Sequence, residues 1–161
     1  MIDKHAALRE VRAALAAELA VMRKAAHDTR AAATHEESKP ENDKDTRGLE
    51  LAYLAGAQAE RARELERIEA LLDRMVVRDF SGETPIALSA LVELEHDDGA
   101  SNLYFIAPHG GGLRPIVDGR EVTVITPQSP IGRELLGKTA GDEIVVTTAG
   151  RAKTYTITSA W

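Results

Sequence analysis

From Asp3 to Thr34 the chain carries neither glycine nor proline, and Leu8, Leu15, Leu19, Met22 and Ala26 recur at steps of seven, four, three and four. That spacing lines one face of a long helix with apolar side chains. A second run, Leu51, Leu54, Gln58, Arg61, Leu65, Ile68, Leu72 and Met75, alternates steps of three and four without a slip. It is a heptad seam whose middle positions are polar. Each helix is expected to run about 30 residues, roughly 45 Å. Two stripes joined by a short break fit an antiparallel hairpin. A pair of helices packed on a compact domain, or a dimeric coiled coil, fits the same spacing. Gln58 and Arg61 either fix register on this seam or mark a loosely packed distal half.

The break between the stripes runs from Thr34 to Gly48. Pro40 stops the first helix, since it lacks an N–H and restricts the residue before it. Asp45 or Thr46 suits the N-cap of the second helix, where acids favour the helix dipole. Glu36, Glu37, Glu41, Asp43 and Asp45 crowd this turn. A solvated turn with capping acids explains them, and so does a carboxylate cluster offering oxygens to a hard cation. The spacing is not that of an EF-hand.

Composition changes sharply near residue 76. Residues 1–75 hold 18 alanines but two glycines and one proline, whereas residues 76–161 hold ten glycines and five prolines. Alanine and charge without breakers favour long helices; β-branched runs cut by glycine and proline favour short strands. Two domains are therefore expected, 1–75 helical and 76–161 β-rich. Their net charges are −2 and −4, so neither is a basic arm for free nucleic acid. The chain has no cysteine, which excludes disulfide scaffolds, thiolate metal sites and cysteine nucleophiles. No apolar run is long enough to span a bilayer, and Met1 leads into a polar helix rather than a signal peptide. A cytoplasmic protein without membrane contact is expected.

In the second domain, 90–95 and 102–107 flank Asp97-Asp98-Gly99 as a hairpin, and 121–126 is a third strand. Segments 143–147 and 154–158 pair across Ala149-Gly150-Arg151. Ser129-Pro130 at the start and Gly137 at the end bracket a short helix. Together these elements predict a small antiparallel sheet crossed by one helix. His109-Gly110-Gly111-Gly112 reads as a loop connection, because the Lys-Ser/Thr and helix of a P-loop are missing. No nucleophile elbow or H-E-x-x-H run is present.

The run Ser129-Pro130-Ile131-Gly132-Arg133-Glu134-Leu135-Leu136-Gly137-Lys138 is similar to the signature of the bacterial Gre transcript-cleavage factors. Ala140-Gly141-Asp142-Glu143-Ile144 matches its continuation, and Ala90-Leu91-Val92-Glu93-Leu94 resembles its first core strand. The resemblance implies an α+β protein, an N-terminal coiled-coil finger followed by an FKBP-like antiparallel β domain. It implies docking of that domain on RNA polymerase at the secondary channel, with nucleic acid met only through the polymerase. The finger would then bring acids to the polymerase's own Mg²⁺, and backtracked RNA would be cut. The protein would be no enzyme itself, would carry no intrinsic cofactor or metal when isolated, and would act as a monomer.

The resemblance places the tip acids at Asp43 and Asp45, assisted by Glu41, and the docking contact at Ser129, Pro130 and Ile131. The spacing of Asp43 and Asp45 is two, where the family's first acids stand three apart, so a relative that binds polymerase without cleavage also fits. Ser129-Pro130 also fits a simple helix start. A peptidyl-prolyl isomerase shares the implied fold, but fold alone does not carry function, and its apolar pocket would have only Phe80, Tyr104, Phe105, Tyr155 and Trp161 to draw on.

Overall fold

A computed structural model of the chain describes residues 2–35 and 46–161. They form two long helices, α1 (Lys4–Thr34) and α2 (Arg47–Arg74), then strands β1 (Leu91–His96), β2 (Ser101–Ile106), β3 (Ile116–Val117) and β4 (Arg120–Ile125), helix α3 (Pro130–Leu135), and strands β5 (Glu143–Thr148) and β6 (Arg151–Ala160). The expected α+β architecture of a helical pair followed by a sheet with one helix is present. The chain divides into two compact units, Ala14–Ala70 and Met1–Ala13 with Leu71–Trp161.

Within Ala14–Ala70 the helices run antiparallel: residues 26–34 of α1 and 52–63 of α2 form opposite walls of one groove. Leu15, Leu19 and Leu65 are buried on the seam as the spacing requires. Leu54 departs from expectation. It is 50% exposed, while Ala55 and Ala62 are buried. The seam turns by one residue because Arg61 keeps its guanidinium outside, bonding Glu18 at 2.9 Å and Glu64 at 2.7 Å. A charge so paired costs less at the rim than in the seam. Alanines then fill the distal seam, and the space they leave is a groove of about 670 Å³.

The other unit is built on a six-stranded sheet of order β3-β4-β2-β1-β6-β5. One correction to the antiparallel expectation is needed: β2 and β4 pair parallel, Leu103 beside Val122 and Phe105 beside Val124. The cause is a second chain reversal. Between them β3, only two residues long, turns into β4 through Asp118 (φ 50°) and Gly119 (φ 77°). The β1–β2 hairpin at Asp97-Asp98-Gly99 and the β5–β6 hairpin at Ala149-Gly150 stand where the sequence puts them.

Val92, Leu94, Ile106, Ile144 and Ile157 face one core together with Phe80, Ile86 and Leu135. Leu91, Leu103, Phe105, Val122 and Val124 fall on the opposite face by strand alternation and are equally buried, as are Ala7, Leu8 and Val11 at the start of α1. Each of the valines, leucines, isoleucines and phenylalanines among them contributes about 1.5–3 kcal/mol of transfer free energy. Polar contacts lock the chain's two passages through this unit. Lys4 Nζ donates to the Arg78 carbonyl and lies 5.3 Å from the Phe80 ring centre. Burial pulls the Lys4 ammonium below the usual lysine range. Arg12 Nη2 donates at 2.6 Å to the carbonyl of Leu72, one of the last in α2.

Candidate functional site

The start of α3 is a knot of hydrogen bonds around Thr126. Its carbonyl oxygen accepts from the Ser129 N–H at 3.0 Å and the Ser129 hydroxyl at 2.8 Å. Ser129 Oγ in turn accepts from the Gly132 N–H at 3.0 Å. Ser129 is thus the N-cap, in extended backbone with φ −65° and ψ 155°, and Pro130 opens the helix. This arrangement satisfies one of the N–H groups that every helix start leaves open, and places proline where no donor is missed.

Gly132 is required by the same geometry, since a Cβ there would meet the Thr126 carbonyl oxygen at 2.0 Å. At the other end, Leu136 N–H bonds the Gly132 carbonyl, Gly137 takes φ 79°, and its N–H bonds the Ile86 carbonyl at 2.9 Å. Leu135 is fully buried in the core.

The three residues expected to meet a partner differ in what they offer. Pro130 is exposed, Ser129 is half-buried with its hydroxyl engaged on both sides, and Ile131 packs partly against the core. The following Gly141-Asp142 corner is equally built. Asp142 Oδ2 accepts from the Thr139 N–H at 2.8 Å and from its hydroxyl at 3.1 Å. These bonds hold its carboxyl below the usual carboxylate range. Of the three residues Ser129, Pro130 and Ile131, Pro130 is therefore the bare one, held at the corner of a structural frame.

Tyr104 and Tyr155 are half-buried against the same core as Ile131, and His96 meets Tyr155 edge-on at 5.3 Å between ring centres. Burial, and then the neighbouring Tyr155, push the Tyr104 phenol up. Strand spacing alone does not reveal this grouping, because it is the register of β6 on β1 that brings His96 opposite Tyr155. The glycine loop is no anion cradle. Gly112 N–H bonds the Val124 carbonyl and Leu113 N–H the Gly110 carbonyl. Gly110, at φ 85°, sits where a Cβ would crowd Leu113 and Val11.

Glu41, Asp43 and Asp45, with Glu36 and Glu37, lie outside the described residues. Immediately after them, the Thr46 carbonyl accepts the Glu50 N–H at 2.9 Å, and the Thr46 hydroxyl donates to Glu50 Oε1 at 3.0 Å. Thr46 therefore stands at the start of α2, as one of the two caps expected. Among the described residues no three His, Asp or Glu side chains are grouped to hold a metal ion. Nor is any described helix long and apolar enough to cross a membrane.

The family model "Transcription elongation factor, GreA/GreB, C-term" matches residues 117–161. Solved structures resembling the chain include GreA factor homolog 1 (Gfh1) of Thermus thermophilus, with 18% identity, TM-score 0.38, and coverage of 93% of this chain and 94% of that one. Gfh1 of Thermus aquaticus has 21% identity and TM-score 0.38, covering 94% of each chain. The GreA/GreB elongation factor from Nitrosomonas europaea has 20% identity and TM-score 0.38, covering 69% of this chain and 90% of that one. No curated protein sequence matches the chain. The stretch that resembles the C-terminal part of the GreA/GreB transcription elongation factors, residues 117–161, includes the whole Ser129–Gly132 turn.

Proposed function

We propose that this protein is a cytoplasmic Gre-like elongation factor that binds RNA polymerase at its secondary channel and stimulates cleavage of backtracked RNA. The supporting observation is the family match over 117–161, which contains the capped turn at Ser129-Pro130-Ile131. In this reading Pro130 meets the polymerase directly, while Ser129 and Gly132 hold it in place and Ile131 ties it to the core. Asp43 and Asp45, with Glu41, add carboxylate oxygens to a Mg²⁺ held by the polymerase. A second cation there clamps the attacking and leaving oxygens of a phosphoryl displacement. The bond-breaking site belongs to the polymerase, and one copy of this protein serves one polymerase.

A second reading is favoured by one feature of the tip. Asp43 and Asp45 stand two residues apart, where cleavage-active relatives space their acids by three. A regulator that occupies the channel without cutting RNA would keep the same dock and need no such spacing.

The docking claim is tested by titrating labelled protein with bacterial core RNA polymerase. Pro130→Asp is expected to weaken binding at least tenfold with the melting temperature nearly unchanged, because the side chain is exposed and an acid suits a helix start. Undiminished binding by that variant would remove Pro130 from the interface.

A further inference from the structure

The two edges of the sheet are not alike. The β3 edge is two residues long, which leaves little for another strand to pair with. The β5 edge presents Glu143-Ile144-Val145-Val146-Thr147-Thr148, a β-favouring run with no proline or lysine and a single charge.

Which backbone groups are free there is set by the pairing with β6. Thr148 and Arg151 close the two-residue turn Ala149-Gly150, and the Ile157 N–H bonds the Asp142 carbonyl at 2.9 Å. In an antiparallel ladder bonded pairs alternate, so Ile144, Val146 and Thr148 exchange bonds with β6. The N–H and C=O of Glu143, Val145 and Thr147 point away from it. Among the described residues none of these three has another backbone partner. Their side chains are exposed too, Val145 by 53%.

This edge complements itself. With Val145 placed opposite Val145 of a second copy, the outward residues pair as Glu143 with Thr147, Val145 with Val145, and Thr147 with Glu143. All three are bonding pairs, giving about six interchain hydrogen bonds. The two exposed valines cover each other, and no carboxylate faces a carboxylate. The register that sets Glu143 against Glu143 makes fewer bonds and opposes like charges.

We propose that free copies of this protein associate in pairs by joining their β5 edges antiparallel about a twofold axis at Val145. The contact is isologous and uses the one long sheet edge among the described residues, so it closes at two. It is a small interface and a weak one, with a dissociation constant on the order of 0.1 mM. It is independent of the polymerase reading, in which a single copy acts.

Sedimentation equilibrium from about 5 µM to 1 mM tests this. The full chain should move from 17.4 kDa toward twice that mass as concentration rises. Val145→Lys, which sets two ammonium groups face to face on an exposed site, should stay monomeric throughout with an unchanged melting temperature. Thr147→Lys places an ammonium opposite Glu143 of the second copy twice over, and should tighten pairing about two- to thirtyfold. A parent that remains at monomer mass up to 1 mM overturns the proposal. So does a Val145→Lys variant that pairs like the parent, or a Thr147→Lys variant that pairs less well.

Discussion

A Cβ atom on Gly132 would stand 2.0 Å from the carbonyl oxygen of Thr126. The carbonyl is held there by both the N–H and the hydroxyl of Ser129, so it has no free direction in which to retreat. Alanine ordinarily stabilises a helix over glycine by about 1 kcal/mol. Here the sign inverts. Gly132→Ala should destabilise by about 1–3 kcal/mol through overpacking, a fall of roughly 2–12 °C in melting temperature for a chain of this size. Differential scanning calorimetry reads it directly, and a rise on substitution would refute the close approach.

Asp142 supplies an acid-dependent part of stability. Thr139 donates two hydrogen bonds to its carboxylate and lowers its pKa in the folded state. A depressed carboxyl contributes stability that is complete above its unfolded pKa, about 3.9, and that is lost as pH falls through the lower native value. The melting-temperature gap between the parent and Asp142→Asn should therefore be widest above about pH 5 and shrink as the solution is acidified toward pH 2. A gap that is constant with pH would place the effect elsewhere.

Arg12 should hold the last turn of α2. Its Nη2 caps the Leu72 carbonyl at 2.6 Å, and its Nε lies 3.8 Å from the Asp73 carboxylate. The same carbonyl also accepts the Met75 N–H at 3.2 Å, and a hydrogen bond from a charged group is worth about 1.5–3 kcal/mol. Arg12→Met keeps the stem and removes the donor. Hydrogen exchange at residues 71–76 should speed up at least tenfold in that variant. Unchanged protection would mean that the Met75 N–H alone holds this turn.

The long helices and most strands are legible in the sequence because their signals are local: period and capping for α1 and α3, alternation and turn glycines for the hairpins. The parallel β2–β4 pair is not. It depends on β3, whose two residues are too few to show a period, and on the left-handed Asp118 that reverses the chain. Spacing assigns Leu54 to the seam, whereas the pairing of Arg61 with Glu18 turns Ala55 inward instead. At the candidate dock, Ser129 and Pro130 are legible as a helix start, but the division of labour between them is not. That division rests on the Thr126 carbonyl, which no motif names.

Cleavage itself is read by sizing RNA in arrested elongation complexes. With this protein and Mg²⁺ present, the transcript should shorten from its 3′ end. Asp43→Asn combined with Asp45→Asn should abolish the shortening while leaving polymerase affinity within about twofold of the parent, because the proposed dock at Pro130 is untouched. Unshortened RNA, together with failure to displace a cleavage-competent Gre factor from the same complexes, would overturn both the cleavage role and the channel docking on which it rests.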